Sequence, residues 1–191
     1  MFTDFEADYC VLDTRNAGIG IYDCLAKVLY DEDRNMEYKP WTCMNDQTVA
    51  NRIVIAGQEP VVFSVKASLD LNSRIAISMR STLDSHMMEL LINHTEGAEE
   101  VQKLYPDYAT ADVEEQLRYE MPYRETAALI NEMIALEYTV MNQTGAIKIE
   151  ERSGARKDRY TSVSYGNYFA DLLEKDLFAD SGEYEFMTLY N

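Results

Sequence analysis

Cysteine is scarce in this sequence: Cys10, Cys24 and Cys43 are the only three among 191 residues, and no two stand close enough to form a CxxC pair. An odd, widely spaced set supports neither a disulfide framework nor a zinc knuckle, and a reducing compartment fits it best. Histidine is scarcer still; His86 and His94 lie outside any HExxH pattern, which leaves zinc chemistry without a ligand set. Long hydrophobic runs are missing. The longest, residues 60–65 and 87–92, fall far short of the roughly 20 residues that cross a bilayer, so no membrane association is expected. The opening residues are acidic, without the basic start of an export signal. There is no GxxxxGK[ST] for an ATPase and no GxSxG for a nucleophile elbow. Positive charge is also short, with 17 Lys and Arg against 34 Asp and Glu. A net charge of −17 excludes a protein that holds nucleic acid over most of its surface, because phosphate binding rests on clusters of cations.

What is present is globular. Hydrophobic residues make up 47% and charged residues 27%, which argues against disorder, and the length suits one domain over 1–191. Basic residues are concentrated in one place: Lys148, Arg152, Arg156, Lys157 and Arg159 put five of the 17 cations into twelve positions. Any contact with DNA is expected there.

The apolar run at residues 9–12 ends in Asp13 and meets Asn16-Ala17-Gly18, which predicts a buried strand feeding a tight loop. Ile21, Leu25, Val28 and Leu29 then predict a helix over 19–30. Residues 31–59 read as a loop with a short helix or strand near 49–55, and 60–66 as a strand rich in valine. Asp70 opens a helix with Leu71, Ile75, Met79 and Leu83 on one face, and 88–92 read as a strand or buried extended chain. Helical patterns follow at 99–104, 112–119 and 123–140. Residues 146–150 alternate as a half-buried strand, and Asp158 leads a helix to about Leu177. Strands mixed with helices indicate an α/β fold.

Two acids stand where chemistry is usually placed. Asp13 ends a strand before a glycine turn, and ligands commonly sit at that carboxyl edge of an open α/β sheet; its plainer role is to hydrogen-bond the turn. Asp158 follows a strand and the basic loop; its plainer role is to stabilise the first turn of a helix. Phosphodiester hydrolysis by two metal ions needs several carboxylates on one rigid edge, with Mg²⁺ or Mn²⁺ roughly 4 Å apart. Gly18-x-Gly20 also invites an S-adenosylmethionine reading, although the full GxGxxG is absent. Tyr160, Tyr165 and Tyr168 could stack on bases, but core packing is the simpler account.

Residues 8–25, DYCVLDTRNAGIGIYDCL, resemble the strand, turn and helix of phage terminase large subunits that carry the second acid of their nuclease site. Residues 148–170, with KDRYTSVSYGNYFA at their end, resemble the family's C-terminal block, whose aspartate is the third acid. FSVKAS at 63–68 and TAALINEM at 126–133 fall between them in the family's order. The resemblance implies a ribonuclease H-like α/β fold, with a central mixed sheet flanked by helices. It also implies that Asp13 and Asp158 hold catalytic Mg²⁺ or Mn²⁺, and that the activity is endonucleolytic cleavage of concatemeric viral DNA. The implied partners are double-stranded viral DNA, the terminase ATPase domain, the small subunit and the portal, in the cytoplasm of the bacterial host.

In the family a strand with a first acid precedes the strand of Asp13, whereas here eight residues lie upstream of Tyr9. The expectation is therefore a partial nuclease domain, lacking its first strands and the ATPase motor, impaired in cleavage alone and prone to self-association through an exposed sheet edge. The alternatives are a non-catalytic interaction module of the packaging machinery and, more remotely, a methyltransferase.

Overall fold

A computed structural model of the chain describes residues 6–141, 145–152, 154 and 156–178. The architecture is mixed α/β: six helices, a parallel three-stranded sheet and two antiparallel hairpins among the described residues. The chain divides into two compact units, one formed by residues 1–71 and 165–191, the other by 72–164.

The first unit is built on the strands β1 (Cys10–Asp13), β4 (Trp41–Cys43) and β5 (Glu59–Val65), in the order β1-β5-β4. Both pairings are parallel, with Cys10 opposite Val62 and Trp41 opposite Glu59. β5, which lies between two neighbours, is buried without alternation from Val62 to Val65, as a central parallel strand requires. α1 (Ala17–Leu25) and α2 (Gln47–Ala50) follow β1 and β4. Their apolar faces meet the sheet in a core of Tyr22, Ala26, Cys43, Val49 and Val62, with Leu12, Ile19 and Trp41 packed around it. Gln58 secures the loops beside this core: its side-chain amide nitrogen lies 3.1–3.2 Å from the carbonyl oxygens of Ala26, Trp41 and Ile53.

The expected helix over 19–30 is shorter than its sequence pattern. It stops at Leu25, and Leu29–Asp31 forms β2, paired antiparallel with β3 (Met36–Tyr38). Asn35 takes a positive φ of 50° at the turn, a conformation asparagine tolerates, and the Asp31 carboxylate accepts from the Arg34 amide. Leu29 and Tyr30 are exposed in this hairpin, so their apolar spacing does not mark a core face.

Tyr22 is fully buried and its hydroxyl has no hydrogen-bond partner among the described residues. Tyr22→Phe is accordingly expected to stabilise the protein by about 1 kcal/mol, since it removes an unsatisfied buried polar atom at little change in shape. Urea denaturation should show a raised midpoint at unchanged slope, and a lowered midpoint would mean that the hydroxyl is satisfied.

The second unit contains residues 72–84 of α3 (Leu69–Asp84), α4 (His94–Leu104), α5 (Val113–Ile134), the hairpin β6 (Leu136–Val140) and β7 (Ile147–Glu151), and the first turns of α6 (Asp158–Phe178). Side chains cap two of these helices: Asn93 accepts from the amides of Thr95 and Glu96, and Asp112 from that of Glu115. α5 runs unbroken through Pro122, joining what the sequence suggests as two helices. α4 lies close against it, for a Cβ on Gly97 would stand 2.4 Å from the Tyr123 ring.

Two expectations fail in this unit. Residues 136–140 form a strand rather than the end of a helix, in register with β7 from Leu136 opposite Glu151 to Val140 opposite Ile147. Leu129, Met133, Leu136 and Val140 fit a helical period, but Tyr138, Thr139 and Val140 are strand formers that find a partner in β7. Residues 88–92 are neither strand nor buried; Leu90, Leu91 and Ile92 stand 37%, 48% and 40% exposed. No helix among the described residues is long and apolar enough to cross a membrane.

Candidate functional site

The carboxyl ends of the three parallel strands bring polar side chains together in the first unit. Asp13 is exposed, and its Oδ1 accepts from the Arg15 amide at 2.9 Å, the short-range bond expected of an aspartate entering a turn. The other carboxylate oxygen has no hydrogen-bond partner among the described residues. The turn is tight. Asn16 has a positive φ of 48°, the Gly18 amide donates to the Arg15 carbonyl at 2.9 Å, and a Cβ on Gly18 would lie 1.6 Å from the Asp13 carbonyl oxygen. Only glycine allows α1 to start so close behind β1.

The neighbouring strands supply the rest. The buried hydroxyls of Thr14 and Ser64 are 2.5 Å apart, and the Thr14 amide donates to the Val65 carbonyl at 3.1 Å. Beyond the end of β4, Asn45 takes the place of strand backbone. Its Oδ1 accepts from the Ser64 amide at 2.7 Å and its Nδ2 donates to the Ser64 carbonyl at 2.9 Å. Asp46 caps α2 through the amides of Thr48 and Val49 and pairs with Lys66 at 2.5 Å. Burial alone would raise the Asp46 carboxyl, but the Lys66 ammonium and the two amides outweigh it and hold its pKa below the usual carboxylate value. Burial, with the charge of Asp13 adding to it, raises the Tyr165 phenol.

Asp158 belongs to the second unit, as the first residue of α6. Its carboxylate is exposed, without a partner among the described residues, and faces an open depression of about 600 Å³ that Arg156, Arg159, Glu125, Thr126 and Ser162 also line.

Most of the basic cluster is matched by the chain's own acids. Lys148 pairs with Glu150, Arg152 with Glu137 and Lys157 with Glu151, each at 2.7 Å. These pairs are exposed, so they add little stability and can be exchanged for phosphate oxygens. Arg159 differs: it bridges Glu125 at 2.5 Å and the buried Glu132 at 2.9 Å, and both acids raise its pKa. Arg156 is the one cation of the five with no ion pair among the described residues.

Asn45, Asp46, Lys66, Glu125 and Glu132 are absent from the candidates read from sequence. Glu132 did leave a trace there, as an acid one turn after Leu129 on the apolar face of α5. Among the described residues, no three His, Cys, Asp or Glu side chains gather so as to hold a metal ion. No protein-family model matches the chain, and neither a curated protein nor a solved structure matches it with significance.

Proposed function

We propose that the chain is a divalent-metal-dependent endonuclease domain of the phage terminase large-subunit type, cleaving concatemeric double-stranded DNA during genome packaging in the bacterial host. The observation that supports this reading most is Asp13: an exposed carboxylate at the carboxyl edge of a parallel sheet, before a turn that only glycine can make, within the residues that carry the resemblance. Such a domain would have a ribonuclease H-like core, and a parallel three-stranded sheet would be one part of it. The terminase ATPase domain, small subunit and portal are the partners this reading assigns.

The metal requirement is compatible with the residues present. No preformed cage exists among the described residues, but Mg²⁺ commonly takes one or two carboxylates and completes its shell with waters and substrate phosphates. Asp13 and Asp158 each offer carboxylate oxygens without a partner among the described residues. The metal would supply a nucleophilic hydroxide and neutralise charge on the phosphate. The chain's own part is to present Asp13 from the rigid turn, Asp158 from the first turn of α6, and Arg156 as a cation free to meet a backbone phosphate.

The test is Mn²⁺-dependent nicking of supercoiled plasmid by the parent chain beside Asp13→Asn and Asp158→Asn. Each variant should lose at least about 100-fold in rate, since even outer-sphere changes at metal sites cost 10- to 100-fold. Unchanged nicking in both variants would refute the assignment of these acids. The second reading, an interaction module without catalysis, is favoured by the net charge of −17 and by the pairing of four of the five clustered cations with the chain's own acids. A parent that never nicks but binds the portal or the ATPase domain would select it.

A further inference from the structure

We propose that Glu132 is the positioning residue for Asp158: it clamps the first turn of α6 from a neighbouring helix and so fixes where the Asp158 carboxylate stands. The inference rests on the nuclease reading only for what Asp158 does once it is positioned.

Helix α6 begins without the usual means of closing a helix start. The residue preceding Asp158 is Lys157, whose side chain has no acceptor to offer the free amides of the first turn. A carboxylate from α5 serves instead. Glu132 Oε2 accepts from the amides of Arg159 at 2.9 Å and Tyr160 at 3.0 Å, the two residues that follow Asp158. Glu132 Oε1 accepts from the Arg159 guanidinium at 2.9 Å. Three hydrogen bonds thus converge on a side chain only 8% exposed, which is what makes a buried carboxylate tolerable.

Glu125 stands two turns earlier on the same face of α5 and holds the other side of the Arg159 guanidinium, at 2.5 and 3.3 Å. Among the described residues it accepts from no amide of α6, and its side chain is 51% exposed. The two acids therefore separate the roles: Glu125 engages the arginine alone, whereas Glu132 engages the arginine and the backbone beside Asp158. Asp158 remains exposed in the same depression, so the clamp leaves its carboxylate open to a ligand.

The experiment compares Glu132→Gln, Glu132→Ala and Glu125→Gln in the full chain by two readouts. Amide hydrogen exchange at Arg159 and Tyr160 reports the clamp without reference to activity. Mn²⁺ binding, followed by the electron paramagnetic resonance of free Mn²⁺, reports the ligand site. Glu132→Ala is expected to speed exchange at both amides at least about 10-fold and to weaken Mn²⁺ binding 10- to 100-fold, the range found for outer-sphere metal partners. Glu132→Gln keeps an oxygen able to accept from the amides and should recover part of both. Glu125→Gln should change neither. Equal exchange in the parent and Glu132→Ala, or lost protection with unaltered Mn²⁺ affinity, overturns the proposal. Should the alanine variant fail to fold, the glutamine variant gives the same comparison. A parent that binds no Mn²⁺ and nicks no plasmid refutes the nuclease reading instead, and the clamp is then decided by the exchange rates alone.

Discussion

Gly18→Ala is expected to destabilise the protein by about 3 kcal/mol, at the upper end of what overpacking costs, and to displace Asp13. The added methyl would fall 1.6 Å from the Asp13 carbonyl oxygen and 2.8 Å from its carbon. Both are backbone atoms, so no side chain can swing aside, and either the start of α1 or the end of β1 must move. Gly20 is the internal control. It lies two residues further along the same helix with nothing within 4 Å of an added Cβ, and Gly20→Ala should be neutral or stabilise by up to about 1 kcal/mol through helix propensity. Urea denaturation of both variants checks the pair, and equal midpoints would contradict the close approach at Gly18. The same contrast bears on the cofactor reading of Gly18-x-Gly20: the fold itself accounts for the first glycine and makes no demand on the second.

Phe169→Ala should cost about 3–5 kcal/mol, as removal of a buried phenylalanine generally does. Phe169 is 5% exposed on the part of α6 that belongs to the first unit. Its ring lies 4.6 Å from that of Phe63 on the central strand and meets Tyr9 edge-on at 5.2 Å, arrangements that add to simple burial. Phe169→Leu keeps most of the volume and should lose well under half as much. Thermal or urea unfolding would measure both, and a loss under about 1 kcal/mol for alanine would mean that α6 does not seal this side of the sheet.

Features set by local sequence were readable in advance. β5 declared itself through Val61, Val62, Phe63 and Val65, and β1 through a short apolar run stopped by Asp13 and a glycine turn. Asp158 at the start of α6 was visible because a strand and a charged loop precede a long periodic stretch. Sequence and structure part where one spacing fits two structures. Val28 and Leu29 continue the helical period of α1, yet the turn at Asn35 folds Leu29–Asp31 back against Met36–Tyr38. Leu136 and Val140 continue that of α5, yet a strand eleven residues further on claims them. Asn45 and Glu132 escaped for a different reason. Each acts on backbone far away, Ser64 at a separation of 19 residues and Arg159 at 27, and no spacing in the sequence ties a side chain to a backbone amide at such a distance.

The discontinuity of the first unit has a consequence for biosynthesis. Residues 72–164 form their unit from one uninterrupted stretch, whereas the other unit is assembled from residues on both sides of that stretch. Its sheet already brings Thr14 to Ser64 across fifty residues, a loop closure that slows folding on its own. Phe169 then leaves the ribosome last among the partners of Phe63 and Tyr9. While the chain is being made, this sheet waits with these rings uncovered, and it is most open to chaperones and to misassembly in the interval before α6 emerges.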